Sequence, residues 1–419
     1  MKLKYASAAA VCLLSSVIGQ SVIAAETDTD VLRNQINELT RRLDALEKEE
    51  KPGTTVVQDG AFAMPGTNTT IKFGGYIQAD LIHDSRFDNG PFLVGNNTPA
   101  DSVDDNPNTM LQARQSRLNV LTSTDVGTGT PLEAFLEVDA IGADGNEVFS
   151  NSHGIRLRHA YVKYGRYMAG QYWSNFQDFV AYPQLLDVSS PAGRVFVRQT
   201  QFRVNMGQFA LSLENPETQP VAGTSNQAES LGGVGEDRLP DFIVSWRGGP
   251  GGALGAYQVS GLLRELGVNG TVNGVAYDDQ ETGWGANVAG RWALGPAVFK
   301  ANAAYGEGIG RYINYGWGND MRLNADGSVD VITSWGASAA MEYSWTPRTA
   351  STFSYGHFEN DDDYSAFDTK SVDTYRVNYR WTPFTNLMVG AEAMYAVRDF
   401  TNGTDGDNTR LQFSVRRSF

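Results

Sequence analysis

The side chains in this sequence that are best suited to binding a ligand are arginines. Of 33 basic residues, only eight are lysines and 25 are arginines. A guanidinium group makes planar, bidentate contacts with carboxylates and phosphates, which an ammonium group cannot make. We predict that eight of them bind small anions: Arg117, Arg156, Arg158, Arg194, Arg198, Arg203, Arg376 and Arg380. For each one, the alternative is a structural ion pair with a carboxylate such as Glu137 or Asp139.

The elements that must position these arginines have a period of two. In the last stretch, Leu411, Phe413, Val415 and Phe419 share one parity, and Arg410, Gln412, Ser414, Arg416 and Ser418 share the other. This alternation predicts a β-strand with one apolar face and one polar face. The alternative for this stretch alone is the last strand of a soluble sandwich.

The same rhythm predicts sixteen strands between residues 70 and 419. The clearest are Ile71–His83, Leu132–Ile141, Phe242–Arg247, Trp284–Trp292, Ala297–Tyr305, Ile332–Trp345, Val372–Trp381, Leu387–Arg398 and Thr409–Phe419. The weaker ones are Leu111–Ser123, Ile155–Tyr164, Arg166–Trp173, Arg194–Val204, Gln208–Leu213, Leu254–Leu263 and Arg348–Phe358. Most are near ten residues long, which suits a tilted strand that crosses a membrane.

The connections between these strands alternate between long and short. Thr346-Pro347 and Thr382-Pro383 make short turns, whereas segments such as His83–Met110 and Arg264–Gln280 are long. Long loops at one end and short turns at the other are typical of outer-membrane barrels. Strands cross a membrane only as a closed barrel, because an open edge leaves backbone groups unpaired. We therefore predict an all-β fold, a 16-stranded antiparallel transmembrane β-barrel wide enough to hold a water-filled lumen.

The N-terminal part of the chain has a different pattern. We predict a signal peptide over residues 1–25, a periplasmic coiled-coil segment over 26–50, a linker over 51–69 and the barrel over 70–419. The coil prediction rests on a heptad seam, formed by Leu32, Ile36, Leu39, Leu43 and Leu46. The alternative is a single amphipathic helix that does not self-associate.

One long connection is unusually apolar for a loop that faces bulk water. Ser174 to Gly193 contains Phe176, Phe179, Tyr182, Pro183, Leu185 and Leu186. We predict that it folds into the barrel and narrows the lumen, with an external loop packed on its neighbours as the alternative. An arginine on a lipid-facing position costs roughly 2–4 kcal/mol at the membrane midplane. Most of the candidate arginines should therefore face the lumen or a subunit interface.

The net charge of −15 argues against a nucleic-acid partner, since a phosphate backbone requires a basic surface. The acidic excess lies mainly in the loops, at Asp84, Asp88, Asp101, Asp104, Asp105, Asp361 to Asp363, Asp405 and Asp407. Loop acids more than about 8 Å from a solute are largely screened at physiological salt. Local arginines should therefore decide selectivity, which favours anions. The loop acids are hypothesised to bridge to lipopolysaccharide through divalent cations, or simply to keep the surface soluble.

An enzyme is the main rival class, and the sequence gives little support for it. The four histidines lie in no HExxH or similarly spaced metal motif, and no GxSxG elbow is present. We predict no catalytic residue, no cofactor and no metal. Two further function classes stay open: a general non-selective or cation-preferring porin, and a structural tether in which the coil matters more than the pore.

Several segments are similar to those of a known family. They are Lys72-Phe73-Gly74-Gly75-Tyr76-Ile77-Gln78-Ala79-Asp80, Arg114-Gln115-Ser116-Arg117-Leu118, Arg156-Leu157-Arg158-His159-Ala160-Tyr161 and Ala169-Gly170-Gln171-Tyr172-Trp173-Ser174. Together with the signal, coil and barrel, they resemble the DcaP-like porins of Gram-negative outer membranes. The resemblance covers nearly the whole mature chain. It implies a homotrimer with one pore per subunit, held through barrel wall and coil, and uptake of small anions, particularly dicarboxylates and aromatic acids.

Overall fold

The computed structural model describes residues 36–42, 60–93, 95–101, 103, 105–143, 145–146, 148, 150–222, 234–249, 251, 255–314, 320–361 and 369–419. Two compact units are present, one of residues 1–56 with 65–67 and one of residues 57–64 with 68–419. In the first unit, residues 36–42 are helical, and Ile36 and Leu39 are exposed on this helix. The predicted signal peptide lies outside the described residues. No helix of the described part is long and apolar enough to span a membrane.

The second unit is a barrel of sixteen antiparallel strands. The first eight are β1 Thr69–Asp84, β2 in two segments Asn108–Gln112 and Arg117–Thr124, β3 Leu132–Asp139, β4 Arg156–Tyr164, β5 Tyr167–Trp173, β6 Arg198–Met206, β7 Phe209–Glu214 and β8 Asp241–Gly248. The second eight are β9 Ala256–Val272, β10 Val275–Leu294, β11 Ala297–Glu307, β12 Thr333–Thr346, β13 Thr349–Asn360, β14 Thr369–Phe384, β15 Leu387–Phe400 and β16 Asp405–Ser418.

Every strand pairs with its sequence neighbours, and the sheet closes on itself. Tyr76 to Asp84 of β1 pair with Ser418 to Arg410 of β16, so neither strand has an open edge. Closure satisfies the backbone hydrogen bonds that hydrocarbon could not satisfy. The sixteen strands predicted from the odd-even pattern are thereby confirmed as a closed antiparallel barrel.

The two faces of the wall separate apolar from polar side chains as the alternation predicts. On β14, Tyr375, Val377, Tyr379 and Trp381 are exposed on the outer face. The residues between them point inward, and Arg376 and Asn378 are buried. The outer face therefore suits lipid, with aromatic rings along it, and the charged groups lie inside.

Several predicted boundaries differ from the structure, and in two cases the difference changes the role of a segment. The strand predicted from Arg194 begins at Arg198, so Arg194 lies in the preceding loop. The loop predicted over Arg264–Gln280 is instead a continuation of β9 and β10, which turn through Asn273 and Gly274. Both turn residues have positive φ angles, of 52° and 85°. This is the geometry that makes Asn-Gly a two-residue hairpin turn.

The long hairpin is stabilised by apolar contacts above the lipid-facing part of the wall. β9 and β10 have 17 and 20 residues, whereas about 9–11 residues span a membrane. A small sheet lies against them, in which Pro220–Ala222 pairs with Met321–Leu323 and Met321–Leu323 pairs with Val329–Val331. Leu266, Val268 and Tyr277 of the hairpin form one buried cluster with Met321 and Leu323. These packing partners come from distant loops, and a local pattern does not reveal them.

The remaining short elements lie beside the barrel strands or in its loops. Phe62–Ala63 pairs with β1, Gly235–Glu236 pairs with β9, and Gly145–Asn146 pairs with Ser152–His153. Gly95–Asn97 and Gly310–Tyr312 are single 3₁₀ turns.

Candidate functional site

The loop between β5 and β6, residues 174–197, lies inside the barrel. Phe176, Leu186 and Val195 of this loop are fully buried. The carbonyl oxygen of Phe176 accepts hydrogen bonds from Ser260 Oγ at 2.8 Å and from Asn287 Nδ2 at 2.9 Å. These donors lie on β9 and β10, so the loop leaves β5 and crosses to the distant wall. We call residues 174–197 the inward loop; its predicted inward fold is confirmed.

Further along, backbone groups of the inward loop bind side chains of the wall formed by β11–β15. Gln184 N donates to Glu342 Oε1 at 2.7 Å, and Leu186 N donates to Glu392 Oε2 at 2.8 Å. Lys300 Nζ donates to the carbonyl oxygen of Tyr182 at 2.7 Å. Because the loop contributes backbone atoms to these contacts, they fix its path independently of the identity of its side chains.

Glycines allow the inward loop to touch this wall backbone to backbone. Gly193 has a φ angle of +75°, and a methyl group there would overlap the carbonyl oxygen of His357. A methyl group on Gly336 would overlap Gly193, and one on Gly356 would overlap the carbonyl oxygen of Ala192. Three glycines therefore set the distance between loop and wall.

Two of the predicted arginines act as clamps on the inward loop. Arg194 pairs with Asp178 at 2.7 Å and donates to the carbonyl oxygen of Ala181 at 2.9 Å. Arg376 donates to Ser189 Oγ at 2.8 Å and lies 3.9 Å from Glu392. Both guanidinium groups are buried. They hold the loop to itself and to the wall, and they do not face the cavity described below.

The loop between β1 and β2 also enters the barrel, which the sequence did not indicate. Leu93 of this loop is fully buried, and its N–H donates to Asp187 Oδ2 at 2.8 Å. Asp187 belongs to the inward loop and pairs with Arg410 of β16 at 3.3 Å. Arg410 also holds Asp84 in a bidentate contact of 2.8 and 2.6 Å. The two loops are thus joined through one buried network.

A cavity of about 660 Å³ remains between the inward loop and the wall formed by β16 and β1–β6. Five arginines line it: Arg117, Arg156, Arg158, Arg198 and Arg416. Nine aromatic side chains also line it: Tyr76, Phe92, Phe135, Tyr161, Tyr172, Trp173, Phe179, Tyr182 and Phe196. Burial raises the pKa of the Tyr182 phenol in the loop, so this ring is neutral. We call this space the central cavity.

Two of the five arginines are ion-paired on the wall. Arg156 contacts Asp139 through two nitrogens at 3.0 and 2.7 Å. Arg158 contacts Glu137 at 2.7 Å and Asp139 at 2.9 Å. The register between β3 and β4 shifts between Glu137 and Val138. This bulge places Arg158 and His159 together on the buried side and explains why the sequence of β4 does not alternate cleanly.

The remaining three arginines have no carboxylate within ion-pair distance among the described residues. The Cζ atoms of Arg117 and Arg416 lie 5.3 and 4.5 Å from the ring centre of Tyr76. The Cζ atom of Arg198 lies 4.5 Å from the ring centre of Trp173. A ring face positions a guanidinium group but leaves most of its N–H donors available to other acceptors. These three side chains can therefore bind an anion that enters the cavity.

Arg203 and Arg380, the last two predicted arginines, lie away from the central cavity. Arg203 is buried and donates to the carbonyl oxygen of Trp173 at 2.7 Å. Arg380 lines a smaller chamber towards the short-turn end. The structure thus brings Arg117, Arg156, Arg158 and Arg198 together and separates them from Arg194, Arg203, Arg376 and Arg380.

Sequence reasoning missed Arg416 as a site residue. Its inward parity was readable from the polar face of β16. In a closed barrel β16 lies beside β1, which places Arg416 next to Tyr76 and one strand from Arg117. A closed barrel requires the last strand to pair with the first. Comparing the inward-facing residues of these two strands in the sequence could therefore have identified Arg416.

A closed sixteen-stranded barrel with an internal loop and a charged lumen defines an outer-membrane channel protein. A family model described as "Porin subfamily" matches residues 58–415. The chain therefore belongs to this porin family, and it is located in the outer membrane of a Gram-negative bacterium. Family and fold point to a channel rather than an enzyme.

Solved structures support the same fold. The outer membrane channel DcaP of Acinetobacter baumannii is 23% identical, with a TM-score of 0.71 over 84% of this chain and 98% of that chain. OmpT of Vibrio cholerae is 13% identical, with a TM-score of 0.51 over 85% and 99%. OmpF of Salmonella typhi is 11% identical, with a TM-score of 0.50 over 84% and 98%. No curated protein sequence matches the chain. The family model thus confirms a porin, and the predicted likeness to DcaP is confirmed at the level of the fold.

Proposed function

We propose that this porin is a passive diffusion channel that prefers small anions, particularly dicarboxylates and aromatic acids. The observation that carries the proposal is the group of three cavity arginines, Arg117, Arg198 and Arg416, without a carboxylate partner in the described part of the chain. A guanidinium group about 6 Å from an anion, at an effective dielectric constant near 20, contributes roughly 3 kcal/mol of attraction. An anion in the cavity meets several such groups at once.

The cavity as a whole supports the same sign of selectivity. Glu137 and Asp139 are already engaged by Arg156 and Arg158. Asp187, which also lines the cavity, pairs with Arg410. The carboxylates therefore offer little uncompensated charge to a cation.

The acidic loops are partly neutralised as well. Asp84, which the sequence placed among the loop acids, is buried against Arg410. Arg86 pairs with Asp101, Asp105 and Asp407. Asp104, Asp362 and Asp363 lie outside the described residues. This arrangement weakens the acidic field that an approaching anion meets.

The aromatic lining supports aromatic acids as one class of solute. The rings of Phe179 and Phe196 both contact the ring of Trp173, with centroids 5.9 and 4.9 Å from it. Arg198 lies over the same indole ring. A flat acid could place its ring against these faces and its carboxylate against the guanidinium group.

The sign of the selectivity is tested by the reversal potential in a potassium chloride gradient across a planar bilayer. The proposal expects a potential that reports chloride as the more permeant ion. A potential of the opposite sign contradicts it and favours a cation-preferring porin, which the exposed acids Asp88, Asp361 and Asp405 would explain.

The role of Arg198 is tested by comparing two single-charge variants. Arg198→Gln should lower succinate flux into liposomes about tenfold and leave arabinose flux unchanged, because a lost charge-assisted hydrogen bond is worth about 1.5 kcal/mol or more. Arg166→Gln is the matched control, since Arg166 is exposed in the short turn between β4 and β5. Equal loss of both fluxes in Arg198→Gln would indicate a folding role instead.

We further propose a homotrimer held through the barrel wall and the N-terminal coil, as the family resemblance implies. Ile36 and Leu39 of the predicted heptad seam are exposed on the helix of residues 36–42, which supports their use in self-association. Leu32, Leu43 and Leu46 lie outside the described residues. Mass determination in detergent should give three subunits for the full chain.

If a variant lacking residues 28–50 loses uptake although its barrel still conducts, a tethering role for the coil gains support.

Contact with lipopolysaccharide through the loop acids stays a proposal of the same kind. Asp88, Asp361 and Asp405 are exposed at the long-loop end. Calcium should protect these loops from protease in lipopolysaccharide-containing membranes, and protection that is independent of calcium would contradict the bridge.

A further inference from the structure

A second, smaller chamber lies on the far side of the tip of the inward loop. Its volume is about 220 Å³, which is ample room for several waters. Gln184 and Leu185 of the loop line both this chamber and the central cavity. Thr382 and Asn386 belong to the short-turn end of β14 and the turn that follows it. We call this space the exit chamber, because short turns face the periplasm in outer-membrane barrels.

Arginines are the only charged side chains that line the exit chamber in the described part of the chain. They are Arg380 of β14 and Arg416 of β16. Arg380 has one weak contact, 3.3 Å to Thr352 Oγ1, and its Nε atom is buried without a partner among the described residues. Neither arginine has a carboxylate within ion-pair distance in that part of the chain. Within the described residues, the chamber therefore holds two guanidinium groups without a direct ion pair.

The acids on the neighbouring wall, Glu342 and Glu392, already accept hydrogen bonds from other groups. Glu342 accepts from Gln184 N and from Lys300 Nζ, each at 2.7 Å. Glu392 accepts from Leu186 N at 2.8 Å and from Asn378 Nδ2 at 2.9 Å. Both acids hold the inward loop and do not line the chamber. An anion that enters would not compete with them for space.

Arg416 is the only arginine that lines both spaces among the described residues. We propose that Arg380 and Arg416 form a second anion site on the periplasmic side of the loop tip, and that Arg416 passes the solute between the two sites. The ligand class is a small carboxylate, and the polar side chains of Thr382 and Asn386 can add neutral hydrogen bonds. Two weak sites in sequence suit conduction, because each site must release its ligand as well as bind it.

This inference rests on the proposed anion preference and extends it to a second site. It is tested with single channels inserted in one known orientation, with succinate added to one side at a time. In the unmodified protein, succinate should block the current from either side. In Arg380→Gln, block by periplasmic succinate should need at least tenfold more succinate, whereas block by external succinate should change less than threefold. In Arg416→Gln, block from both sides should weaken.

Arg348→Gln is the matched control, because Arg348 is an exposed arginine in the periplasmic turn between β12 and β13. It removes the same charge at the same end without touching the chamber, and block should be unchanged. Retention of the heat-modifiable gel shift shows that Arg380→Gln is folded. The second site is refuted if a folded Arg380→Gln channel behaves like Arg348→Gln, or if both sides weaken equally. Cation preference in the unmodified protein would instead refute the proposed function, and it is read independently from the reversal potential.

Discussion

Arginines on the two sides of the lumen have different partners and different consequences. On the wall of β11–β15, Arg376 is buried against the inward loop, with Ser189, Asp187 and Glu392 around it. On the opposite wall, Arg198 lies over the ring of Trp173 and borders the central cavity. An arginine surrounded by carboxylates, such as Arg376, holds the loop in place. An arginine that lies against aromatic rings, such as Arg198, stays available to bind a solute. What distinguishes the two is the set of side chains packed around each guanidinium group.

The largest effect is expected when the clamp is removed. Arg376→Ala removes the guanidinium group that lies 3.9 Å from both Asp187 and Glu392, and removing one partner of a buried ion pair costs about 3–5 kcal/mol. We expect the inward loop to detach, with a lower thermal midpoint by circular dichroism and a larger, noisier single-channel conductance. Arg376→Lys should recover part of the stability, since it restores the positive charge but not the planar set of N–H donors of the guanidinium group. Unchanged conductance in Arg376→Ala would show that the loop does not depend on the clamp.

A smaller effect is expected where the loop meets the wall through glycine. Gly193→Ala introduces a methyl group into the carbonyl oxygen of His357, at a φ angle of +75° that costs about 1–3 kcal/mol for other residues. The loop should shift, and single-channel conductance should change while anion preference keeps its sign. Gly207→Ala is the control, because its φ angle is +65° but nothing lies within 4 Å. If both variants conduct alike, the close contact at Gly193 does not set the width of the path.

The smallest effect is expected from the ring that lies between two cavity arginines. Tyr76→Leu removes the face shared by Arg117 and Arg416, and each such contact is worth about 0.5–1 kcal/mol at exposed sites. Because the two contacts together are worth about 1–2 kcal/mol, succinate block should weaken about five- to thirtyfold, with conductance and stability nearly unchanged. Tyr379→Leu, on the lipid-facing side of β14, should leave succinate block unaltered. A hundredfold or larger loss in Tyr76→Leu would mean that the ring contacts the solute itself, because two cation–π contacts account for roughly thirtyfold at most.

The barrel was predictable from sequence because its pattern is local. One parity of each strand meets lipid and the other meets the lumen, so Tyr375 and Arg376 identify their faces without knowledge of any neighbour. The inward loop was predictable for a similar reason, since an apolar segment such as Phe176 to Leu186 needs an interior to pack in. The hairpin through Asn273 and Gly274 was missed although Asn-Gly is a hairpin signal, because Gly267 and Gly270 interrupt the apolar pattern before the turn and Asp278 and Asp279 interrupt it after the turn.

The roles of the individual arginines were not predictable from their own segments. Arg158 and Arg198 have similar sequence surroundings, but the first meets Glu137 and Asp139 and the second meets Trp173. The partner is decided by register, and a bulge between Glu137 and Val138 changes it locally. Arg416 was missed because its neighbours on β1 and β2 are far away in sequence and close only after closure.

The glycine contact at Gly193, Gly336 and Gly356 has a consequence for how such a channel can change over generations. The backbone fixes how far the loop protrudes, so substitutions on the opposite wall of the cavity leave the position of the loop unchanged. Substitutions at Arg117, Arg198 or Arg416 would therefore change the charge that a solute meets while the inward loop keeps its place.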